Sequence, residues 1–345
     1  MGLAICWVFF FHSDVSFPNH IIFYPIKFVK CIGYGAVDIF IFLSGFGLMH
    51  GMIKKQWPYV TFYKRRFFRI YPAYFIIVTI SLIVDSYLDE AINLSDVFLK
   101  LSTLWFWAGN GRFLWYIPCI FALYIIFPVF FRHHQSSSNK TSFTLIIILT
   151  AYILCIISIA CNKSYYLIFL TRLPVFILGA HLGYKSINNT EQIDNHAVAG
   201  NMLCLIASLV SIAIIKLKIP KEIQELTGAV WYPFIFIVYP LTLFTSNFLK
   251  YLDESQENNN ISTINNIIFW AGTYSLEIYL VHEHIVFPIG EHFLKIYSSK
   301  FEILNAMNKG NIPEYLIFFI ISMGLAFPIN KIANIRLSTR QRHSR

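Results

Sequence analysis

The stretch TSFTLIIILTAYILCIISIAC at residues 141–161 contains no charged residue and is long enough for a helix to cross a lipid bilayer. A bilayer-crossing helix needs about 20 mostly apolar residues, and it satisfies its backbone polar groups internally because lipid offers no hydrogen bonds. Three more runs without charge cover residues 113–131, 197–215 and 226–249. Membrane-spanning helices therefore decide the fold.

The composition of the whole chain agrees with a membrane-embedded protein. Of its 345 residues, 57% are hydrophobic, 18% are aromatic and 13% are charged, whereas soluble domains carry about 25% charged residues. A chain with so few polar side chains cannot cover a water-facing surface, which excludes a soluble globular protein. The net charge of +9 does not predict a nucleic-acid partner, because few basic side chains remain to form a contiguous groove. The six cysteines lack the close spacing of a metal site or redox pair, so we expect apolar packing and no metal.

Six further segments bring the predicted number of spans to about ten. Two are shorter uncharged cores, three contain polar groups, and one is the first apolar run, and they cover residues 70–84, 315–330, 31–53, 164–184, 264–290 and the run from Gly2 to His12. The alternation of a transmembrane barrel is missing. We predict an all-α polytopic membrane protein with a single membrane-embedded domain over residues 1–345.

Basic residues are concentrated in the loop predicted at residues 53–69 and in the C-terminal tail at residues 331–345. Lys and Arg in short loops favour the cytoplasmic side. With the N-terminus inside, both clusters fall on the cytoplasmic side of an even number of spans. We therefore predict that both termini are cytoplasmic.

Five ionisable residues interrupt apolar spans, and such residues indicate function by default because charge is costly in lipid. They are His12, Asp38, Arg172, Glu277 and His282. His12 and Asp38 fall toward the outer ends of the first two spans, where a carboxylate would orient a histidine general base. The alternative is a helix-end histidine bonded to a loop carbonyl. Arg172 and Glu277, at middle depth, suit either a packing ion pair or a catalytic role.

The segment YKRRFFRIYPAY at residues 63–74 is the sharpest local signal. Lys64, Arg65, Arg66 and Arg69 precede a span and form a multidentate anion site suited to phosphates or pyrophosphate. Topology alone is the alternative explanation of every charge in this cluster.

Five glycines lie on the second predicted span, namely Gly33, Gly35, Gly45, Gly47 and Gly51. Glycines on a helix allow a neighbouring helix to approach closely, which is the first interpretation. The alternative is that the thin helix face leaves room for a ligand.

Four motifs, in order along the chain, resemble those of the integral-membrane acyltransferase 3 family. They are GYGAVDIFIFLSGFGL (33–48), KRRFFRIYPAY (64–74), RLPVFILGAHLG (172–183) and WAGTYSLEIYLVHEHI (270–285). Members of this family move acyl groups, usually acetyl, from a cytoplasmic thioester to hydroxyls of extracytoplasmic carbohydrate. The resemblance covers the whole chain.

The resemblance implies a role for each matching residue. His12 corresponds to the catalytic histidine of the first span, and Asp38, on the second-span motif, would hold its tautomer. Arg66 and Arg69, together with Arg65, correspond to the end that binds acetyl-CoA. The resemblance further implies a carbohydrate acceptor, surrounding membrane lipid and a bacterial inner membrane. A transporter or flippase, or a non-catalytic scaffold or sensor, are the alternatives to an O-acetyltransferase.

The chain departs from the family pattern in two places. IPCIFALY (117–124) stands where many members have S-V-E-E-Q-F-Y, and this departure resembles the branch with a W-Y-I-P form. The family also places an Arg with ten residues between it and the histidine, a position that Met1 occupies here. Eleven residues of helix span about 17 Å, roughly half of the hydrocarbon core, so we expect the first span to begin upstream of Met1. The sequence carries no signature of the acceptor or of the oligomeric state.

Overall fold

A computed structural model describes residues 1–13, 15, 17–87, 93–111, 115–188, 195–254, 259–297 and 314–342. The described residues form helices and contain no strand, which confirms the all-α prediction. The α-helices are α1 Gly2–His12, α2 Tyr24–Cys31, α3 Ala36–Lys55, α4 Tyr59–Tyr87, α5 Leu94–Leu101, α6 Tyr116–Ser136, α7 Lys140–Ala160, α8 Leu167–Leu170, α9 Arg172–Asn188, α10 Asn195–Lys218, α11 Lys221–Thr227, α12 Phe234–Glu254, α13 Asn259–Thr273, α14 Ser275–Val281, α15 Phe287–Tyr297 and α16 Glu314–Arg342. A π-helical turn, His282–Val286, joins α14 to α15.

Eight helical segments of the described chain are long and apolar enough to cross a membrane, as expected of a polytopic membrane protein. They are Ile21–Lys55, Tyr59–Tyr87, Tyr116–Ser136, Lys140–Ala160, Ser164–Ile187, Val198–Lys218, Phe234–Tyr251 and Leu316–Asn334. The other two predicted spans form shorter helices. The first is α1, of 11 residues, and residues 264–290 are divided among α13, α14, the π turn and α15.

The connection between α3 and α4 is shorter than the predicted loop at residues 53–69. α3 ends at Lys55, where Gln56 turns the chain with a φ of 44°. The Pro58 carbonyl then accepts a hydrogen bond from the Phe62 amide at 3.0 Å, which starts α4. The arginines of the basic cluster therefore lie on a helix, because no residue between 59 and 71 breaks one.

The backbone divides into two compact units, and each is discontinuous in sequence. Unit 1 contains Met1–Ala36, Lys64–Pro118 and Asn266–Arg345, and unit 2 contains Val37–Tyr63 and Cys119–Asn265. The single domain expected from the sequence stays a prediction.

In unit 2, α7 shows the side-chain pattern of a helix in lipid. Its buried face is built of small or polar residues with one Ile, namely Thr144, Ile148, Ala151, Cys155 and Ser158. Its exposed face carries large apolar residues, including Leu145, Ile146, Leu149, Ile153 and Ile156. Small inward residues let helices approach closely, and outward apolar side chains cost nothing when they face lipid.

Helices α3 and α9 of unit 2 pack closely and run parallel. A Cβ atom at Gly179 would overlap the Phe42 carbonyl oxygen, and one at Gly183 would lie 2.6 Å from the Phe46 carbonyl oxygen. Both partner positions advance by four residues in the same direction. This is the direction expected for the second and sixth spans of an alternating bundle.

The structure separates the glycines of the second predicted span into two kinds. A Cβ atom at Gly45 would overlap the Phe176 carbonyl oxygen, as expected for close helix contact, whereas Gly47 has nothing within 4 Å of that position. Gly33, in unit 1, lies against α1, and its Cβ atom would be 2.6 Å from Phe11 Cβ.

In unit 1, α1 packs against α13 and α14 in a fixed register. A Cβ atom at Gly2 would overlap the Ile268 carbonyl oxygen, and one at Gly272 would lie 3.0 Å from the Gly2 nitrogen. Ten residues beyond Gly2 and Gly272 are His12 and His282. The two segments run parallel, so the glycine contact brings these histidines to the same level.

Candidate active site

Two histidines from different helices meet in unit 1. The ring centroids of His12 and His282 are 5.5 Å apart, and the ring planes cross at 67°. His12 is the last residue of α1 and is exposed, whereas His282 begins the π turn and is fully buried. An exposed imidazole is therefore backed by a buried one.

The surroundings of His282 set its tautomer. Its Nδ1 atom lies 3.1 Å from the Ile278 carbonyl oxygen, so in the neutral ring Nδ1 carries the hydrogen and donates it. Nε2 is then an acceptor, and it has no hydrogen-bond partner among the described residues. The rings of Phe9 at 4.5 Å and Phe287 at 5.7 Å enclose it.

The WYIP segment also reaches this region of unit 1. The Tyr116 ring contacts the Tyr279 ring at 5.2 Å, and Tyr279 in turn contacts the His282 ring at 5.6 Å. The WYIP segment thus contributes an aromatic ring two contacts away from His282 and three contacts away from His12.

A second polar group of unit 1 centres on Glu277. Its Oε1 atom accepts hydrogen bonds from Arg69 Nη1 at 2.7 Å and from Asn330 Nδ2 at 2.6 Å. Glu277 is fully buried, whereas 40% of the Arg69 side chain is exposed. One of the five guanidinium N–H groups is thus engaged with the carboxylate, and the exposed side of Arg69 is open to an anion.

The basic residues of α4 differ in burial. Arg66 and Arg69, three residues apart, are partly buried and lie on the same side as the buried Ala73. Arg65 is exposed, although it lies one turn before Arg69 on the same helix. Burial therefore distinguishes two partly buried arginines from an exposed one.

The arginine group and the histidine pair occupy two levels of one helix. Glu277 and His282 are five residues apart, a rise of about 7.5 Å along a helix. The Arg69–Glu277 pair and the His12–His282 pair thus lie close to each other inside unit 1.

Asp38 and Arg172 form a separate pair in unit 2. Arg172 Nε lies 3.5 Å from Asp38 Oδ1, and the two residues are 1% and 2% exposed. The arginine also donates to the Ile168 carbonyl at 2.9 Å and lies 5.3 Å from the Trp231 ring. Asp38 thus has a cationic partner in its own unit, and its action on His12 stays a prediction.

Arg172 and Glu277 each form an ion pair within their own unit, Arg172 with Asp38 and Glu277 with Arg69. Asn330, which binds Glu277, was missed by the sequence interpretation. The available signal was an amide at the end of the otherwise apolar run 315–330.

Comparison with protein families assigns the chain. The family model described as an acyltransferase domain, that of acyltransferase 3, matches residues 2–331. The chain belongs to the acyltransferase 3 family. This acyltransferase is a multi-pass membrane protein that acts on acyl groups, as the motifs of its sequence predicted. No curated protein and no solved structure matches the chain.

Proposed function

We propose that this acyltransferase moves an acetyl group from acetyl-CoA to a hydroxyl of a polysaccharide or lipid-linked glycan. The observation that carries the proposal is that one segment, α14 with its π turn, contacts both Arg69 and His12. Arg69 meets this segment at Glu277, and His12 meets it at His282. In this proposal, binding of the CoA phosphates and removal of the hydroxyl proton both take place within unit 1.

His12 is the general base of the proposed reaction. A sugar hydroxyl has a pKa far above neutral, so its oxygen needs a base as it attacks the thioester carbonyl. His12 takes the hydroxyl proton while the new C–O bond forms. The tetrahedral intermediate then collapses, the C–S bond breaks, and His12 returns the proton to the departing CoA thiolate. The products are an O-acetyl ester and CoA.

Arg66 and Arg69 supply the anion site for the CoA phosphates. Guanidinium groups bind phosphate through charge-assisted, bidentate hydrogen bonds. Glu277 fixes the direction of Arg69 through its 2.7 Å contact, and Asn330 fixes Glu277. The extended pantetheine arm of CoA is long compared with the rise of about 7.5 Å between the two levels, so the thioester reaches His12 while the phosphates stay at Arg69.

The proposal places the start of α4 at the cytoplasmic face of a bacterial inner membrane. Lys64, Arg65, Arg66 and Arg69 form the densest basic cluster of the sequence, and such clusters favour the cytoplasm. With this orientation, acetyl-CoA enters from the cytoplasm. His12, at the far end of α1, faces an acceptor that arrives from the opposite side.

Acetyl transfer by purified protein tests the proposal. The protein in lipid nanodiscs receives radiolabelled acetyl-CoA and envelope glycans, and we expect alkali-labile label in the glycan fraction. His12→Ala should lower the rate by about 10²–10⁴-fold, the usual effect of losing a general base. His133→Ala, at an exposed histidine near the end of α6, is the matched control and should keep the wild-type rate. Near wild-type transfer by His12→Ala would refute the base, and glycan translocation without acetyl-CoA would favour a flippase.

A further inference from the structure

We propose that His282 is the positioning residue of His12, holding the base through a hydrogen bond from a His12 ring N–H to His282 Nε2. The kinetic part of this inference rests on the proposed function, whereas the histidine geometry does not. The sequence interpretation gave this orienting role to Asp38, which in the structure binds Arg172.

A second histidine pair in the same protein shows the ring separation and tilt of two histidines within hydrogen-bond distance. In unit 2, His134 Nε2 and His181 Nδ1 are 3.1 Å apart, with ring centroids at 5.4 Å and planes at 72°. The centroids of His12 and His282 are 5.5 Å apart, with planes at 67°. The two pairs differ little in separation or tilt, and at this centroid separation His134 and His181 bring two ring nitrogens within hydrogen-bond distance.

The buried environment of His282 favours this bond. Nδ1 donates to the Ile278 carbonyl, which leaves Nε2 as an acceptor without a partner among the described residues. A buried acceptor left unsatisfied costs about 1–3 kcal/mol. Polar rings that contact the His282 ring include those of His12 and Tyr279, with centroids at 5.5 Å and 5.6 Å.

The local backbone holds His282 in place. It is the first residue of the π turn His282–Val286, and π turns within helices are frequent at functional sites. The register between α1 and α13 is fixed ten residues before the two histidines, where Gly272 lies against Gly2. Backbone contacts therefore set the level of both histidines along their helices.

The proposed bond assigns the proton at each step. One His12 nitrogen donates to His282 Nε2, which leaves the other nitrogen with a lone pair for the acceptor hydroxyl. That second nitrogen takes the hydroxyl proton and later returns it to the CoA thiolate. His282 keeps its Nδ1 hydrogen on the Ile278 carbonyl throughout and stabilises the imidazolium as an acceptor.

Two substitutions at His282 separate positioning from packing. In His282→Asn the amide nitrogen replaces Nδ1 and keeps the bond to the Ile278 carbonyl, but the Nε2 acceptor is lost. In His282→Gln the amide oxygen reaches the Nε2 position and keeps an acceptor for His12. We expect His282→Asn to lower kcat on the order of 10²-fold through misplacement of the base, with the KM for acetyl-CoA unchanged. His282→Gln should keep kcat within about tenfold of wild type.

The reactivity of His12 provides a test without acetyl transfer. Diethyl pyrocarbonate modifies exposed neutral imidazoles, and peptide mass spectrometry measures the rate at His12 in nanodiscs. We expect slower modification of His12 in His282→Asn and a rate near wild type in His282→Gln. Equal kcat and equal His12 reactivity in wild type and His282→Asn would overturn the inference.

The outcomes distinguish this inference from the proposed function. If wild type transfers no acetyl but His12 reactivity depends on His282, the histidine pair stands and the proposed function falls. If transfer needs His12 but His282→Asn matches wild type in both measurements, the function stands and the pair falls. Should His282→Asn fail to fold, His282→Gln decides, since loss of both kcat and His12 reactivity there overturns the inference.

Discussion

Arg69 Nη1 lies 2.7 Å from Glu277 Oε1, in a pair whose carboxylate is fully buried while the arginine side chain is 40% exposed. A buried carboxylate is costly without a cationic partner. Glu277 therefore keeps Arg69 turned toward the protein, and the exposed side of the guanidinium remains open to an anion. Under the proposed function, the pair links the stability of unit 1 to the binding of acetyl-CoA.

The first prediction separates those two roles. Arg69→Leu leaves the Glu277 charge with Asn330 as its described partner, so we expect a loss of about 1–3 kcal/mol in stability. Adding Glu277→Gln removes the unpaired charge and should restore the unfolding midpoint in detergent. Acetyl-CoA binding should stay weak in both variants. Normal donor affinity in the double variant would show that Arg69 does not bind the donor.

The second prediction compares two neighbouring arginines of α4. Arg66 is partly buried on the side of Arg69, whereas Arg65 is exposed. A hydrogen bond to a charged group contributes about 1.5–3 kcal/mol, so Arg66→Ala should weaken acetyl-CoA binding roughly 10- to 100-fold. Arg65→Ala removes the same charge one residue away and should change affinity by less than about threefold.

The measurement is calorimetric binding of acetyl-CoA to detergent-solubilised protein. Tags at the N-terminus confirm that each variant keeps the wild-type orientation in membranes, because both arginines also contribute to topology. Equal affinities for Arg65→Ala and Arg66→Ala would leave the basic cluster as a topology signal alone.

The spans were predictable because lipid makes a severe demand on composition. An uncharged run such as 141–161 has few alternatives to a membrane helix, and α7 indeed covers Lys140–Ala160. Runs of charged residues were less informative about whether a segment forms a helix or a loop. The segment 63–74 was expected partly as a loop, yet it lies in α4, because arginine and lysine are good helix formers and the nearest break is at Pro58.

The partners of the buried charges were not predictable in the same way. Composition identifies Asp38, Arg172 and Glu277 as costly residues, but it does not say which helices pack side by side. The Asp38–Arg172 pair depends on the close parallel packing of α3 and α9, and the Glu277–Arg69 pair depends on α14 lying against α4. The register that aligns His12 with His282 comes from Gly2 and Gly272, a contact visible only in three dimensions.

The third prediction concerns the buried pair of unit 2. Asp38→Leu alone leaves the Arg172 charge in an almost fully buried site and should reduce the yield of folded protein. Asp38→Leu combined with Arg172→Met removes both charges, and apolar replacements of a buried pair are often neutral or stabilising. We expect the double variant to fold and to transfer acetyl at a rate within about tenfold of wild type.

The double variant also tests the expectation that Asp38 orients His12. Transfer by the folded double variant would show that the reaction does not need the Asp38 carboxylate. A folded double variant that loses transfer by about 10²-fold or more, with unchanged acetyl-CoA affinity, would restore Asp38 to the role predicted from the sequence.

The fourth prediction uses two glycines of α3 that differ only in their surroundings. A Cβ atom at Gly45 would overlap the Phe176 carbonyl oxygen of α9, whereas a Cβ atom at Gly47 meets nothing within 4 Å. Gly45→Ala forces α3 and α9 apart, and overpacking of this kind costs about 1–3 kcal/mol. Gly47→Ala adds a methyl group without a clash and should stabilise the helix by about 0.5–1 kcal/mol. Thermal unfolding in detergent should therefore give a lower midpoint for Gly45→Ala than for wild type, and an equal or higher one for Gly47→Ala. Equal midpoints for the two variants would mean that α3 and α9 are not in close contact at Gly45 in the membrane protein.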